Sequence, residues 1–321
     1  MQYTDLPLEE LRAYAPALVE PDDLDDFWAA TIDRARAAST SEAARVPVEG
    51  PVRTVIVEDL TFPGFGGEPV RGWVLRPRDG LPAPAVVEFV GYGGGRGLPG
   101  ERLGWASAGY VHVVMDTRGQ GSGWSLGDTP DPHGSGPAIP GVMTRGIRDP
   151  HEYYYRRVFT DAVRLVDAVA AMPFVDPDRI AVTGGSQGGG IALAAAALSG
   201  RVGAVMPDVP FLCDFPRAIT RSLHDPFTEI TRYLAMHREA ADATRRTLSY
   251  FDGAVLARRI TAPALVSVAL MDEIVLPSTV FAAFHALAST DKTLAVYEFN
   301  GHEGGGIHHW MRQTAWLAAL W

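Results

Sequence analysis

Short apolar runs alternate with segments of helical periodicity over most of the chain, and this alternation is the strongest constraint on its fold. The apolar runs are rich in β-branched residues and cover 85–90, 111–115, 180–183, 204–206, 264–269 and 293–298. Helical spacing covers 155–172, 187–198, 279–287 and 307–320. Such alternation is typical of a parallel sheet with helices on both faces. We therefore predict an α/β fold with a mostly parallel central sheet.

Other parts of the chain depart from this alternation. Two β-rich stretches, 52–62 and 70–76, flank a Gly-rich turn and predict a hairpin at an antiparallel edge. Residues 1–50 predict a helical extension that packs outside the main domain, and residues 210–250 predict a helical insertion. We interpret residues 1–321 as a single domain.

Composition and charge exclude several functions. The 28 basic residues stand against 38 acidic ones, a formal net charge of −10, which is the wrong sign for binding nucleic acid. The N-terminus lacks the basic start and apolar core of a secretory signal, and the longest apolar runs fall far short of the roughly 20 residues that span a bilayer. These features predict a cytoplasmic location without a membrane partner. The single cysteine, Cys213, excludes an internal disulfide and a multi-cysteine metal site.

The main candidate for chemistry follows the run at 180–183. Gly184-Gly185-Ser186-Gln187-Gly188 is a G-x-S-x-G motif that leads into an alanine-rich helical segment. In a strand–turn–helix context this motif predicts a nucleophile elbow, with Ser186 on a sharp turn and glycines where side chains would collide. The alternative is a glycine-rich turn that only packs the helix against the strand.

A serine hydroxyl needs an imidazole base, and the base needs a carboxylate that orients it. In this arrangement the acid and then the base follow the serine along the chain. Asp272 comes just after the run at 264–269, and His302 just after the run at 293–298, so both are expected at strand ends. Glu273 is a rival acid, and His308 and His309 are rival bases within a helical segment.

The same chemistry requires an oxyanion hole. One backbone N–H follows the nucleophile, which is Gln187, and the other comes from a loop after an earlier strand. Gly91-Tyr92-Gly93 follows the run at 85–90, so we predict Tyr92 as the second donor.

Two competing motifs predict other chemistry. Residues 95–100 match G-x-G-x-x-G, with Asp116 placed as in a dinucleotide fingerprint, but the motif starts too late after its strand, and Pro99 lacks an N–H. His302-Glu303 begins like a zincin motif, but Gly306 stands where the second histidine is required. We therefore predict neither a cofactor nor a metal.

Several segments around these residues resemble carbohydrate esterase family seven, the acetyl xylan esterase and cephalosporin C deacetylase group. The matching segments cover about residues 20 to 320. They are Asp116-Thr117-Arg118-Gly119-Gln120-Gly121, Tyr153-Tyr154-Tyr155-Arg156-Arg157 through Asp161-Ala162-Val163-Arg164, Gly185-Ser186-Gln187-Gly188-Gly189, Val209-Pro210-Phe211-Leu212-Cys213-Asp214, Pro277-Ser278-Thr279-Val280-Phe281-Ala282-Ala283 and Gly301-His302-Glu303.

The resemblance implies an α/β-hydrolase that deacetylates xylo-oligosaccharides, cephalosporin C and similar small esters without a metal, as a homohexamer. It implies the nucleophile Ser186, the acid Asp272, the base His302 and the oxyanion donors Tyr92 and Gln187. Arg118 and Gln120 resemble a structural brace near the site.

The sequence departs from the family at two positions. Val90 stands where a histidine is usual, and Leu276 where a cysteine is frequent; we expect both near the acyl pocket. Fold alone leaves open a peptidase or a dienelactone-hydrolase-like enzyme. A non-catalytic module that binds acetylated sugars is the alternative outside enzymes.

Overall fold

A computed structural model describes residues 3–79, 82–134 and 136–321. Within these residues the strands are β1 Ala44–Pro47, β2 Val55–Pro63, β3 Pro69–Pro77, β4 Ala83–Phe89, β5 Val111–Met115, β6 Val175–Gly185, β7 Ala204–Asp208, β8 Ala264–Ala269 and β9 Lys292–Tyr297. The α-helices are α1 Leu8–Arg12, α2 Leu24–Ala38, α3 Gly104–Ser107, α4 Tyr154–Ala170, α5 Gln187–Ser199, α6 Phe215–Arg221, α7 Phe227–Met236, α8 Ala241–Ser249, α9 Gly253–Leu256, α10 Pro277–Ala286 and α11 Gly306–Leu320. Short 3₁₀ turns cover Phe65–Gly67, Arg238–Ala240 and Ala257–Arg259.

All strands of the described chain join one sheet, in the order β1-β2-β3-β5-β4-β6-β7-β8-β9. The strands β1 to β3 form an antiparallel edge, and β3 also runs antiparallel to β5. From β5 to β9 every neighbouring pair is parallel. The predicted α/β architecture with an antiparallel hairpin edge is therefore confirmed.

Helices cover both faces of the sheet. On one face α4 and α5 bury apolar side chains against the strands in the main core. On the other face α3 and α11 pack over Val86, Ala181 and Met206. The central parts of β4, β6 and β7 are buried on both faces, so they are continuously apolar rather than alternating. Their carboxyl ends meet at one edge, where Ser186 follows β6 and Asp208 ends β7.

The prediction that residues 1–50 pack outside the main domain was wrong. Trp28 of α2 stacks on Phe159 of α4 with ring centroids 5.9 Å apart, and its Nε1 donates a hydrogen bond to the Tyr250 carbonyl at 3.0 Å. The apolar face of α2 is thus part of the main core, because these large side chains can be removed from water only by covering α4. The same segment also includes β1, a short exposed edge strand without a clear apolar pattern.

The segment 210–250 contains α6, α7 and α8. Phe215 and Phe227 are buried in the main core, and Cys213 is fully buried beside them. This segment passes close to the carboxyl end of the sheet, where α7 places Glu229 near the loop after β4. In the described part of the chain, no helix is long and apolar enough to cross a membrane.

Candidate active site

Ser186 occupies the turn between β6 and α5 in an unusual backbone conformation. Its φ of 56° and ψ of −119° lie in a backbone region that residues other than glycine rarely adopt. The turn is held by two backbone hydrogen bonds: the Ser186 N–H donates to the Asp208 carbonyl, and the Phe211 N–H donates to the Ser186 carbonyl, both at 2.9 Å. The neighbouring strand and loop therefore support the strained conformation.

Glycines flank the serine because no side chain fits there. A Cβ on Gly184 would lie 2.6 Å from the Phe89 carbonyl oxygen, and a Cβ on Gly188 would lie 2.1 Å from the same oxygen. Both distances are too short for non-bonded atoms, and a strand backbone cannot move aside easily. The close approach of α5 to β4 thus explains the G-x-S-x-G spacing.

Asp272 and His302 come together at the ends of β8 and β9. His302 Nδ1 lies 2.9 Å from Asp272 Oδ2. Asp272 is fully buried, and its Oδ1 accepts the backbone N–H groups of Ile274 and Val275, each at 2.9 Å. These bonds fix the carboxylate, which in turn orients the imidazole ring through Nδ1. His302 and Ser186 line the same cavity, as a base and a nucleophile of a triad must.

The rival residues lie in other surroundings. The Glu273 side chain is 59% exposed and lies 3.8 Å from His224. His308 is exposed on α11, and His309 is buried against Tyr297 and Asp208. Neither histidine lines the cavity that contains Ser186.

Gln120 connects the two loops that carry the predicted oxyanion donors. Its Oε1 accepts the Gly93 N–H at 2.7 Å, and its Nε2 donates to Gln187 Oε1 at 2.8 Å. Gln187 Nε2 then donates to the Val90 carbonyl at 3.1 Å. Within the described residues neither the Tyr92 nor the Gln187 backbone N–H has a hydrogen-bond acceptor, so both remain able to bind a ligand oxygen.

The side chain of Tyr92 is anchored by a residue that the sequence patterns did not indicate. Its hydroxyl donates to Glu229 Oε1 at 2.6 Å and accepts the Val142 N–H at 2.7 Å. Burial and the Glu229 carboxylate raise the pKa of Tyr92, so the hydroxyl keeps its proton. Trp124 Nε1 donates to the Tyr92 carbonyl at 2.8 Å. No motif could have revealed Glu229, because it lies on α7, far along the chain from Tyr92.

Arg118 lies outside the cavity and is buried in an ion-pair network. Its Nε and Nη2 donate to Asp161 at 2.6 and 2.8 Å, and its Nη1 donates to Glu68 at 2.6 Å. Burial alone would lower the pKa of Arg118, but the two carboxylates raise it. Arg118 therefore joins α4 to the β2–β3 turn and the loop of Gln120 without touching the cavity.

Asp116, the acid of the dinucleotide-like motif, accepts hydrogen bonds from the loops that surround it. It is fully buried; Oδ1 accepts the Arg96 N–H at 2.9 Å, and Oδ2 accepts the N–H groups of Asp128 and Thr129 at 2.7 Å. A carboxylate surrounded in this way is not free to bind a ribose. The geometry therefore assigns residues 95–100 to loop packing.

The cavity around Ser186 and His302 has a volume of about 500 Å³. Its apolar lining includes Val90, Tyr92, Trp124, Val209, Pro226 and Ile274, and its polar lining includes Glu88, Arg102, Asp208 and Glu303. Val90 thus lies where it was expected. Leu276 does not line the cavity, which corrects that expectation: it precedes α10, and its side chain is buried in the protein instead.

Comparisons with known proteins show the family of this chain. The family model described as acetyl xylan esterase matches residues 1–320. A solved acetyl xylan esterase from Paenibacillus sp. R4 is 38% identical, with a TM-score of 0.92 over 98% of this chain and 99% of that chain. Acetyl xylan esterase 1 from Thermoanaerobacterium sp. JW/SL YS485 is 33% identical, with a TM-score of 0.86 over 99% of both chains.

A curated relative is more distant. The acetyl esterase Axe7A of Xylanibacter ruminicola is 23% identical over 282 residues, which are 87% of this chain. The aligned region spans 63% of the length of that relative.

Proposed function

The chain belongs to the acetyl xylan esterase family, and on this premise we propose that it is a serine esterase that removes acetyl groups from acetylated xylo-oligosaccharides and similar small esters. The observation that carries the proposal is the placement of Ser186, on a strained turn, in one cavity with a His302 ring that Asp272 orients. A protein that only bound acetylated sugars would have no use for this strained serine.

In the proposed reaction, Ser186 Oγ attacks the ester carbonyl carbon while His302 takes the hydroxyl proton. The resulting oxyanion accepts hydrogen bonds from the Gln187 and Tyr92 N–H groups. The C–O bond to the alcohol then breaks, and His302 returns the proton to the leaving oxygen, which leaves an acetyl-serine. Water, deprotonated by His302, attacks the carbonyl carbon of this second ester. The bond to the serine oxygen then breaks, His302 returns the proton to that oxygen, and acetate leaves.

The cavity lining supports small acyl groups. Tyr92, Pro226 and Ile274 present apolar surface beside the serine, and the Tyr92 side chain is fixed by Glu229 and Val142. We propose cephalosporin C as a further substrate on the resemblance alone, since it carries an acetyl ester on a small ring system.

We expect kcat/KM to fall steeply from acetyl to butyryl to octanoyl 4-nitrophenyl esters. Each added methylene has to find room beside Tyr92 and Pro226 or displace the carbonyl from the oxyanion donors. One misplaced methylene group changes kcat/KM by roughly 10–200-fold. Steady-state rates for the three esters measure the effect. Equal rates for octanoyl and acetyl esters would contradict the deacetylase proposal, and no turnover of any ester would favour a binding module.

We further propose that the chain assembles as a homohexamer, as the family resemblance implies. Large apolar side chains that lie exposed on the isolated chain, such as Leu223 before α7 and Met236 at its C-terminal end, offer surface for contacts between copies. Sedimentation at micromolar concentration should show a closed oligomer of six subunits. A monomer as the sole species would contradict this proposal.

A further inference from the structure

Asp208 lines the cavity that contains the nucleophile, and the proposed reaction does not use its carboxylate. Asp208 is the last residue of β7 and pairs in register with Gly185, the residue before Ser186. It lines the cavity of Ser186 and His302, and its side chain remains 27% exposed. An acidic residue therefore forms part of the wall of the cavity in which an ester would bind.

One side chain of α11 holds this carboxylate by a hydrogen bond to one oxygen, and a second side chain lies close to the same oxygen. Gln313 Nε2 donates to Asp208 Oδ1 at 2.8 Å, and His309 Nε2 lies 3.0 Å from the same atom. Both residues are almost fully buried, and His309 Nδ1 lies 3.0 Å from the Tyr297 hydroxyl. Within the described chain no hydrogen bond reaches Oδ2. The carboxylate is thus held in place with one acceptor oxygen unused.

Glu88, Arg102 and Asp208 form a polar wall of the cavity, and within this wall Glu88 and Arg102 make an ion pair. Glu88 contacts Arg102 with one oxygen, and its Oε2 lies 2.9 Å from His112 Nε2. Burial alone would raise the pKa of Glu88, but the Arg102 charge and the His112 contact lower it to about 2. Glu88 and Asp208 lie on the same face of the sheet, under α11 and α3. Asp208 therefore supplies the unused acceptor of this polar wall.

Resting on the proposed esterase function, we propose that Asp208 determines which alcohol the site accepts. Its Oδ2 accepts a hydrogen bond from a hydroxyl next to the acetylated oxygen, so the polar wall favours neutral, polyhydroxylated alcohols such as sugars. A carboxylate beside the ester would face the Asp208 charge at short range and bind poorly. Cephalosporin C carries such a carboxylate next to its acetoxymethyl group, so we expect it to be turned over more slowly than an acetylated sugar.

A pair of matched esters tests the hydrogen bond. We compare methyl 2-O-acetyl-xylopyranoside with its 3-O-methyl ether, which lacks the neighbouring hydroxyl, and use 4-nitrophenyl acetate to report on the chemical steps. Burial raises the pKa of Asp208, although His309 and Gln313 oppose the shift, so the assays are run at about pH 8, far above the ordinary pKa of an aspartate. The wild type should favour the free hydroxyl roughly 10-fold or more in kcat/KM.

The variant Asp208→Asn should reduce this preference to within about threefold, because the amide lacks the charge that strengthens the bond. The same substitution should raise kcat/KM for cephalosporin C relative to the sugar ester by roughly 10-fold. Asp242→Asn is the matched control: it removes the same charge from a fully exposed side chain outside the cavity, and should leave both ratios as in the wild type.

Gln313→Met provides a second variant, since it releases the carboxylate but keeps its charge. It should weaken the preference for the free hydroxyl and leave the discrimination against cephalosporin C as it is in the wild type. Circular dichroism checks that the variants fold. An equal loss on all esters in Asp208→Asn would show that Asp208 only supports the turn of Ser186, and would overturn the inference. Wild-type protein without turnover of 4-nitrophenyl acetate would instead overturn the proposed function itself.

Discussion

Replacing Ser186 with alanine is expected to lower kcat for 4-nitrophenyl acetate by roughly 10⁶, because removal of a triad nucleophile leaves only binding and the oxyanion hole. The fold should be retained. Ser186 contacts its neighbours through its backbone N–H and carbonyl, which alanine keeps. The positive φ of 56° remains equally strained for either residue. Steady-state kinetics with purified variant and wild type measure the loss.

A covalent label separates loss of the nucleophile from loss of folding. Phenylmethylsulfonyl fluoride should inactivate the wild type and add its sulfonyl mass to the peptide of Ser186, whereas Ser186→Ala should take up no label there. Ser199→Ala, at the far end of α5, is the control: it removes a serine hydroxyl outside the cavity and should keep the label on Ser186. A Ser186→Ala variant with one tenth of the wild-type kcat would rule out the serine mechanism.

Replacing Asp272 with asparagine is expected to lower kcat by roughly 10⁴. Asparagine preserves the shape, and its oxygen can still accept the N–H groups of Ile274 and Val275. Its amide group then faces His302 Nδ1, where Asp272 Oδ2 lies at 2.9 Å in the wild type. An amide N–H donates instead of accepting, so the imidazole takes the tautomer that carries its proton on Nε2. That tautomer cannot accept the serine proton.

The neighbouring acid offers a matched control for this variant. Glu273→Gln removes one negative charge next in sequence to Asp272, from a side chain that is 59% exposed and does not contact His302. Its kcat should stay within about threefold of the wild type, because exposed charges are screened by water and salt. Equal losses in the two variants would mean that the charge at this loop matters and the orientation of His302 does not.

The sequence by itself determined the α/β architecture and the identity of the proposed triad. Both are local properties. Continuous apolar runs arise in strands that are buried on both faces, and the elbow around Ser186 is defined by glycines at fixed spacing. Asp272 and His302 could be singled out because polar residues that follow parallel strands converge at one edge of the sheet.

The tertiary structure alone decided which side chains surround this triad. Glu229 reaches Tyr92 across 137 positions of the chain, and Gln313 reaches Asp208 across 105 positions. Contacts between residues so far apart leave no periodic or motif signal in the sequence. In their local sequence, Glu229 and Gln313 look like ordinary polar residues of a helix. The same holds for α2, whose apolar face predicts burial but not the surface that covers it. Local sequence patterns thus indicated the chemistry, whereas long-range packing set the shape and charge of the cavity.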